Sequence, residues 1–222
     1  MAKKILVYGD SNTWGWIGVE EAFPSTRYTD AERWAGVMAA ELGEAFDVAV
    51  DGLTVRATNL NDTMDWNAIK ADMFNGAKTL PAAIAREMPV DLLIIMLGTN
   101  DLKADTNRSA TDIAAAIVEV AKVAEGCAGG VAYHYSAPKV LVVSPPPVND
   151  MPHPDFAAMF EGAKAKSEAL GAALKLAADQ AGLASFDAGA LVGNARGVDG
   201  LHMSKDQHAL LGKAIAETVR TL

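Results

Sequence analysis

Ser11 directly follows Gly9-Asp10, which closes the apolar run Ile5–Tyr8; far downstream, Asp199 and His202 stand three residues apart in GVDGLHMS. A serine hydroxyl is a weak nucleophile at neutral pH and needs an adjacent base. An imidazole can take its proton, provided a carboxylate holds the ring in the right tautomer. The D-x-x-H spacing lets one short loop supply both base and orienter, and the chain order is Ser, Asp, His. A third stretch, LGTND, carries Asn100. Its amide can donate to the oxygen that gains charge when a carbonyl is attacked, a contribution of roughly 3–4 kcal/mol per donor. A fourth, DGLTVRAT, offers Gly52 and the backbone N–H groups near Thr54 and Val55. The N–H of Ser11, at the start of a short helical turn, is one more donor. The chemistry these residues suit is acyl transfer.

Such chemistry requires the four stretches to meet. In open α/β sheets ligands bind outside the carboxyl ends of the strands. Lys4–Tyr8, Phe46–Val50, Leu92–Leu97, Val140–Val143 and Ala184–Phe186 read as strands. The third and fourth are apolar on both faces, as strands of a covered parallel sheet are. Helical patterns alternate with them: Ala31–Leu42 with Gly43 as C-cap, Leu80–Glu87, Thr111–Ala124, Phe156–Ala181 and Lys205–Thr221. The last opens with Ser204 and, three residues on, Gln207, a capping-box pattern. The alternation predicts an α/β fold: three layers around a doubly wound, five-stranded parallel sheet of order 2-1-3-4-5.

Ile17–Tyr28, Asn61–Lys78 and Pro145–Asp155 are longer than ordinary βα connections, and long loops tend to be functional. With Trp16, Trp66, Phe74, His153 and Phe156 on or beside them, they read as pocket walls or subunit contacts. One of Trp14 and Trp16 is expected to wall the pocket, and His153 is placed at the pocket rim. Asp10 and Asp101 read as structural residues bonding backbone within their own turns. His208 reads as a surface or packing residue and Cys127 as inert.

The 222 residues fit one domain, residues 1–222. A net charge of −9 argues against nucleic acid or an anionic membrane as partner. A single cysteine fits a reducing, cytoplasmic setting. The short apolar run before Gly9 reads as a first strand and not as a secretory leader. No window approaches the length of a membrane span. There is no H-E-x-x-H, no cysteine pair and no G-x-G-x-x-G after the first strand, so neither a metal nor a dinucleotide is expected and no cofactor is assigned.

Taken together, Gly9-Asp10-Ser11, the turn Gly52 to Val55, Gly98-Thr99-Asn100-Asp101 and Asp199 with His202 resemble the four blocks of the SGNH (GDSL-type) hydrolases, in order and over essentially the whole chain. GDSNTWGW, DGLTVRATN, IIMLGTND, APKVLVVSPPP and MPHPDFAAMFEGA are similar to the arylesterase/acyltransferase branch. The resemblance implies the flavodoxin-like SGNH hydrolase fold and a small-molecule ester as substrate. It implies Ser11 as nucleophile, His202 as base, Asp199 as its orienter, and Ser11, Val55 and Asn100 as oxyanion donors. Trp16, Thr54, His153 and Phe156 are the implied substrate-binding residues. Members of the branch hydrolyse short acetyl esters, some transfer acyl groups to alcohols or peroxide, and their pockets are walled by oligomer partners, so a homo-oligomer is expected. A carbohydrate O-acetylesterase, or a thioesterase or lysophospholipase, is the alternative. One departure stands out: the family pattern has a second glycine in the second block, and this chain has Val55. A valine keeps the N–H but lacks the φ/ψ freedom of glycine.

Overall fold

The computed structural model describes residues 2–131 and 134–222. Five strands, β1 (Lys3–Gly9), β2 (Phe46–Gly52), β3 (Leu92–Met96), β4 (Lys139–Ser144) and β5 (Ala184–Asp187), form one parallel sheet of order β2-β1-β3-β4-β5. This is the order expected from the sequence. Side chains alternate across a strand, and here both faces are dry. Leu93 and Ile95 join the core on one side, with Leu6 and Val142, while Leu92, Ile94 and Met96 join the other, with Ile5, Val7 and Leu141. Burying one such side chain contributes about 1.5–3 kcal/mol.

The helices are α1 (Ser11–Trp14), α2 (Trp34–Leu42), α3 (Gly76–Glu87), α4 (Ala110–Glu125), α5 (Pro154–Met159), α6 (Ala163–Ala181), α7 (Ala188–Val192) and α8 (Lys205–Arg220). α3, α4 and α6 cover one face of the sheet; α2, α7 and α8 cover the other. Among the described residues no helix is long and apolar enough to cross a membrane.

Strand ends and the bounds of α4 and α8 fall within two residues of the sequence reading, but three helical stretches depart from it further. α3 begins at Gly76, not Leu80, because the Asn75 side chain accepts the Lys78 N–H at 3.2 Å and caps the helix there. Pro81 therefore sits in its second turn. α2 begins at Trp34, not Ala31, since the preceding residues form turns closed by Thr29 and Glu32. The helix expected over Phe156–Ala181 is two helices, α5 and α6. Gly162 between them has φ +72, a left-handed conformation that ends an α-helix and suits glycine.

His208 is packing and not surface. It is wholly buried in α8, its Nδ1 accepts the Trp34 N–H at 3.2 Å, and its ring meets Tyr28 edge-on. Burial, reinforced by the neighbouring His202 and Arg33, pushes its pKa down to about 3 and keeps the ring neutral.

Candidate active site

The register of the sheet sets the site. Gly9 pairs with Gly52 on one side and with Met96 on the other, so the turns after β1, β2 and β3 leave the sheet at one level. This edge lies where the strand order reverses around β1, the crevice in which such sheets bind ligands.

Ser11 opens α1, and the Asp10 side chain caps that helix by accepting the Asn12 N–H at 2.9 Å. Asp10 is wholly buried, and burial pushes its carboxyl up to about 6 against the pull of the Asn12 N–H and of His202. Ser11 Oγ lies 2.9 Å from His202 Nε2, and His202 Nδ1 lies 2.6 Å from Asp199 Oδ2. The other Asp199 oxygen accepts the N–H groups of Leu201 and His202, both at 3.0 Å. Burial alone would raise the Asp199 carboxyl. The His202 ring and these two N–H groups outweigh it and hold the group below its ordinary value. An ionised Asp199 fixes the proton of His202 on Nδ1, which leaves Nε2 as an acceptor facing Ser11. Trp16 stacks on the imidazole with centroids 5.6 Å apart and screens it from water.

Val55 takes φ +70, so a valine occupies the left-handed conformation for which glycine is suited. Among the described residues neither its N–H nor that of Ser11 has a hydrogen-bond partner. Asn100 Nδ2 donates to the Arg56 carbonyl at 3.1 Å, which leaves one amide hydrogen for a ligand. Asp101 does not bond within its own turn as expected. It reaches across to Thr58, accepting its N–H at 3.0 Å and its hydroxyl at 2.5 Å, and pairs with Arg108. The turns after β2 and β3 are thereby tied together.

Ser11, Asn100, Val55 and His202 lie at the floor of a small cleft that is open to solvent on one side. Trp16, Phe23, Trp66 and Phe156 wall it, with Thr54 beside Val55. Phe23 contacts Trp16 and Phe156 edge-on and lies 6.3 Å from Trp66, so two loops and α5 form one aromatic surface. Lys103 is the cation in the wall among the described residues, balanced by Asp62 at 3.7 Å. His153 is not in the wall. Its Nδ1 accepts the Asp155 N–H as the N-cap of α5, and its ring stands behind Phe156. Trp14 also lies outside, under the guanidinium of Arg27.

The sequence model of the GDSL-like lipase/acylhydrolase family matches residues 7–210. The chain belongs to this family. Among solved structures, the inhibitor-bound aryl esterase of M. smegmatis is 44% identical, with all of both chains covered and a TM-score of 0.94. Est24, a carbohydrate acetylesterase from Sinorhizobium meliloti, is 42% identical, with 99% of each chain covered and a TM-score of 0.93. A carbohydrate acetylesterase family member, also from Sinorhizobium meliloti, is 29% identical over 99% of this chain and 98% of its own, with a TM-score of 0.85. No curated protein matches the chain.

In this GDSL-like acylhydrolase several residues to which the sequence assigned no part in the site help to build it. Asn12 Oδ1 accepts the Met203 N–H at 3.0 Å and so joins the serine helix to the histidine loop. Gln207, legible only as a helix cap, is wholly buried. It accepts the N–H groups of Ser204 and Arg196 and donates to the carbonyls of Val192 and Asn194, bracing both ends of the loop that carries Asp199 and His202. Gly18 lies flat against Asp199, where a Cβ would stand 2.8 Å from the carboxyl carbon. Nothing local marks Gly18, because its constraint comes from a residue far along the chain.

Proposed function

We propose that this chain is a serine esterase acting on short-chain esters, acetyl above all, of aryl or similarly apolar alcohols. The hydrogen-bonded run from Asp199 through His202 to Ser11 at the floor of an apolar cleft carries the reading. Ser11 Oγ attacks the ester carbonyl carbon as its proton passes to His202 Nε2. The carbonyl oxygen becomes an oxyanion facing the N–H groups of Ser11 and Val55 and the amide of Asn100. The C–O bond to the alcohol breaks, and that oxygen takes the proton from His202. The acyl-Ser11 ester is then attacked by water, whose proton returns through His202, and the acid leaves. Asp199 stabilises the imidazolium at both stages.

The aromatic wall supports apolar alcohols as leaving groups. It equally supports apolar alcohols replacing water at acyl-Ser11. The likeness to Est24 supports a second reading, release of acetate from acetylated sugars. These readings are tested with p-nitrophenyl esters of rising chain length, with and without benzyl alcohol, beside acetylated xylan oligomers. The expected result is a best rate at acetyl with benzyl acetate accumulating. A best rate at eight carbons or more overturns the short-chain reading, and faster release from xylan oligomers favours the sugar esterase.

Phe23, Met64 and Met159, about half exposed on the cleft-forming loops and α5, support a homo-oligomer that covers the cleft mouth. Light scattering is expected to give a multiple of the 23.2 kDa chain; a monomer overturns it.

A further inference from the structure

Arg56 is a cation buried to 3% exposure, one residue beyond Val55. Its Nη1 donates to the Gly9 carbonyl at 2.9 Å and to the Asp51 carbonyl at 2.7 Å, and its Nη2 donates to Asp51 Oδ1 at 2.7 Å. The guanidinium carbon lies 4.0 Å from the centre of the Tyr8 ring. The backbone carbonyl of Arg56 takes the Asn100 amide, and its N–H donates to Leu53 at 3.3 Å. One residue thus binds the ends of β1 and β2 and the turn after β3, and each of these carries one of the oxyanion donors. A buried ion pair is weak evidence for stability, since desolvation offsets the attraction. Nε of Arg56, moreover, is buried without a partner among the described residues. A better packed apolar side chain would stabilise this turn more simply.

What the turn needs is help with Val55. A β-branched residue at φ +70 is strained and persists only where its surroundings over-determine it. Val55 itself makes no hydrogen bond through its N–H among the described residues. The anchored residue of this turn is its neighbour, Arg56.

We propose that Arg56 is a positioning residue of the oxyanion hole: clamped to Gly9 and Asp51, it holds Val55 in the left-handed conformation and seats the Asn100 amide, so that both donors face the carbonyl at Ser11. The proposal rests on the esterase reading above. Its signature is a coupling between positions 55 and 56. A glycine takes the left-handed conformation unaided, so it relieves the need for the clamp. Lysine keeps the charge over Tyr8 but cannot span the Gly9 and Asp51 carbonyls and the Asp51 carboxylate together.

The experiment is steady-state turnover of p-nitrophenyl acetate by wild type, Arg56→Lys, Arg56→Met, Val55→Gly and the two double variants. Reactive Ser11 is counted by complete labelling with a fluorophosphonate. Losing the alignment of one donor is expected to lower kcat by about 10–100-fold, with KM within about twofold. The loss caused by either Arg56 change should shrink several-fold when position 55 is glycine. If Arg56→Met does not fold, the Arg56→Lys pair alone decides. An unchanged kcat in Arg56→Lys overturns the proposal, as does a loss equally large with valine or glycine at position 55. A fall that follows only the count of labelled Ser11 also overturns it, since that is the mark of a merely structural role. No turnover by wild type would overturn the esterase reading itself, a result distinct from all of these.

Discussion

Ser11→Ala is expected to lower kcat for p-nitrophenyl acetate by about a million-fold, to the residue of rate that binding and oxyanion donors supply alone. The size follows from the geometry. Ser11 Oγ is the atom that lies 2.9 Å from His202 Nε2, and without it the base has no hydroxyl to activate. Among the described residues that hydroxyl has no hydrogen bond other than the one to His202, so its removal leaves the fold's own bonds in place. The capping of α1 rests on Asp10, and the link to the histidine loop rests on Asn12. A thermal melt of the variant should therefore overlay that of wild type within a few degrees, while benzyl acetate formation disappears together with hydrolysis. Activity surviving in Ser11→Ala would place the nucleophile elsewhere and undo the assignment of every role built on it.

Asp199→Asn is expected to cost about ten-thousand-fold in kcat, and here the structure dictates how. One oxygen of Asp199 accepts two backbone N–H groups, of Leu201 and His202. An asparagine must keep its carbonyl oxygen on that side, because an NH2 there would face two donors. Its NH2 is then turned toward His202 Nδ1, 2.6 Å away in the native protein. Nδ1 becomes an acceptor, the ring proton moves to Nε2, and the imidazole points a donor at Ser11. The base is present but in the tautomer that cannot take a proton. Because the change keeps the volume and the backbone bonds, the loss should appear in kcat with the melt little altered. Ser11 should also label slowly with a fluorophosphonate. A variant that retains a tenth of wild-type activity would show that Asp199 does not set the tautomer.

Much of this was legible along the chain, because it depends on neighbours in sequence. Apolar runs of strand length, doubly apolar in β3 and β4, specify strands covered on both faces. The helical patterns between them impose parallel crossovers, and those put the ends of β1, β2 and β3 on one edge. From this the meeting of Ser11, Val55 and Asn100 follows without any coordinates. The spacing of Asp199 and His202 likewise carries its own geometry, since one short loop holds both.

Where local signals compete, the sequence alone misleads. Phe156–Ala181 has a continuous helical pattern, yet Gly162 takes a left-handed turn and breaks it. Pro81 hides a helix that Asn75 starts earlier. His153 is one histidine in a long loop, and only folding shows that it caps a helix behind Phe156.

The tertiary structure alone decided what depends on distant partners. Ser11 and His202 are 191 positions apart, and no local pattern states that α8 delivers the histidine loop onto α1 through Asn12. Asp101 looks like a turn residue until Thr58 and Arg108 close on it. Gly18 is constrained by Asp199 and Arg56 is clamped to the Gly9 carbonyl, each by a contact that exists only after the sheet has formed. The residue types that do the chemistry are a property of the sequence. Their alignment comes from long-range packing, which fixes donors and acceptors to fractions of an ångström and leaves no trace in the order of neighbouring residues.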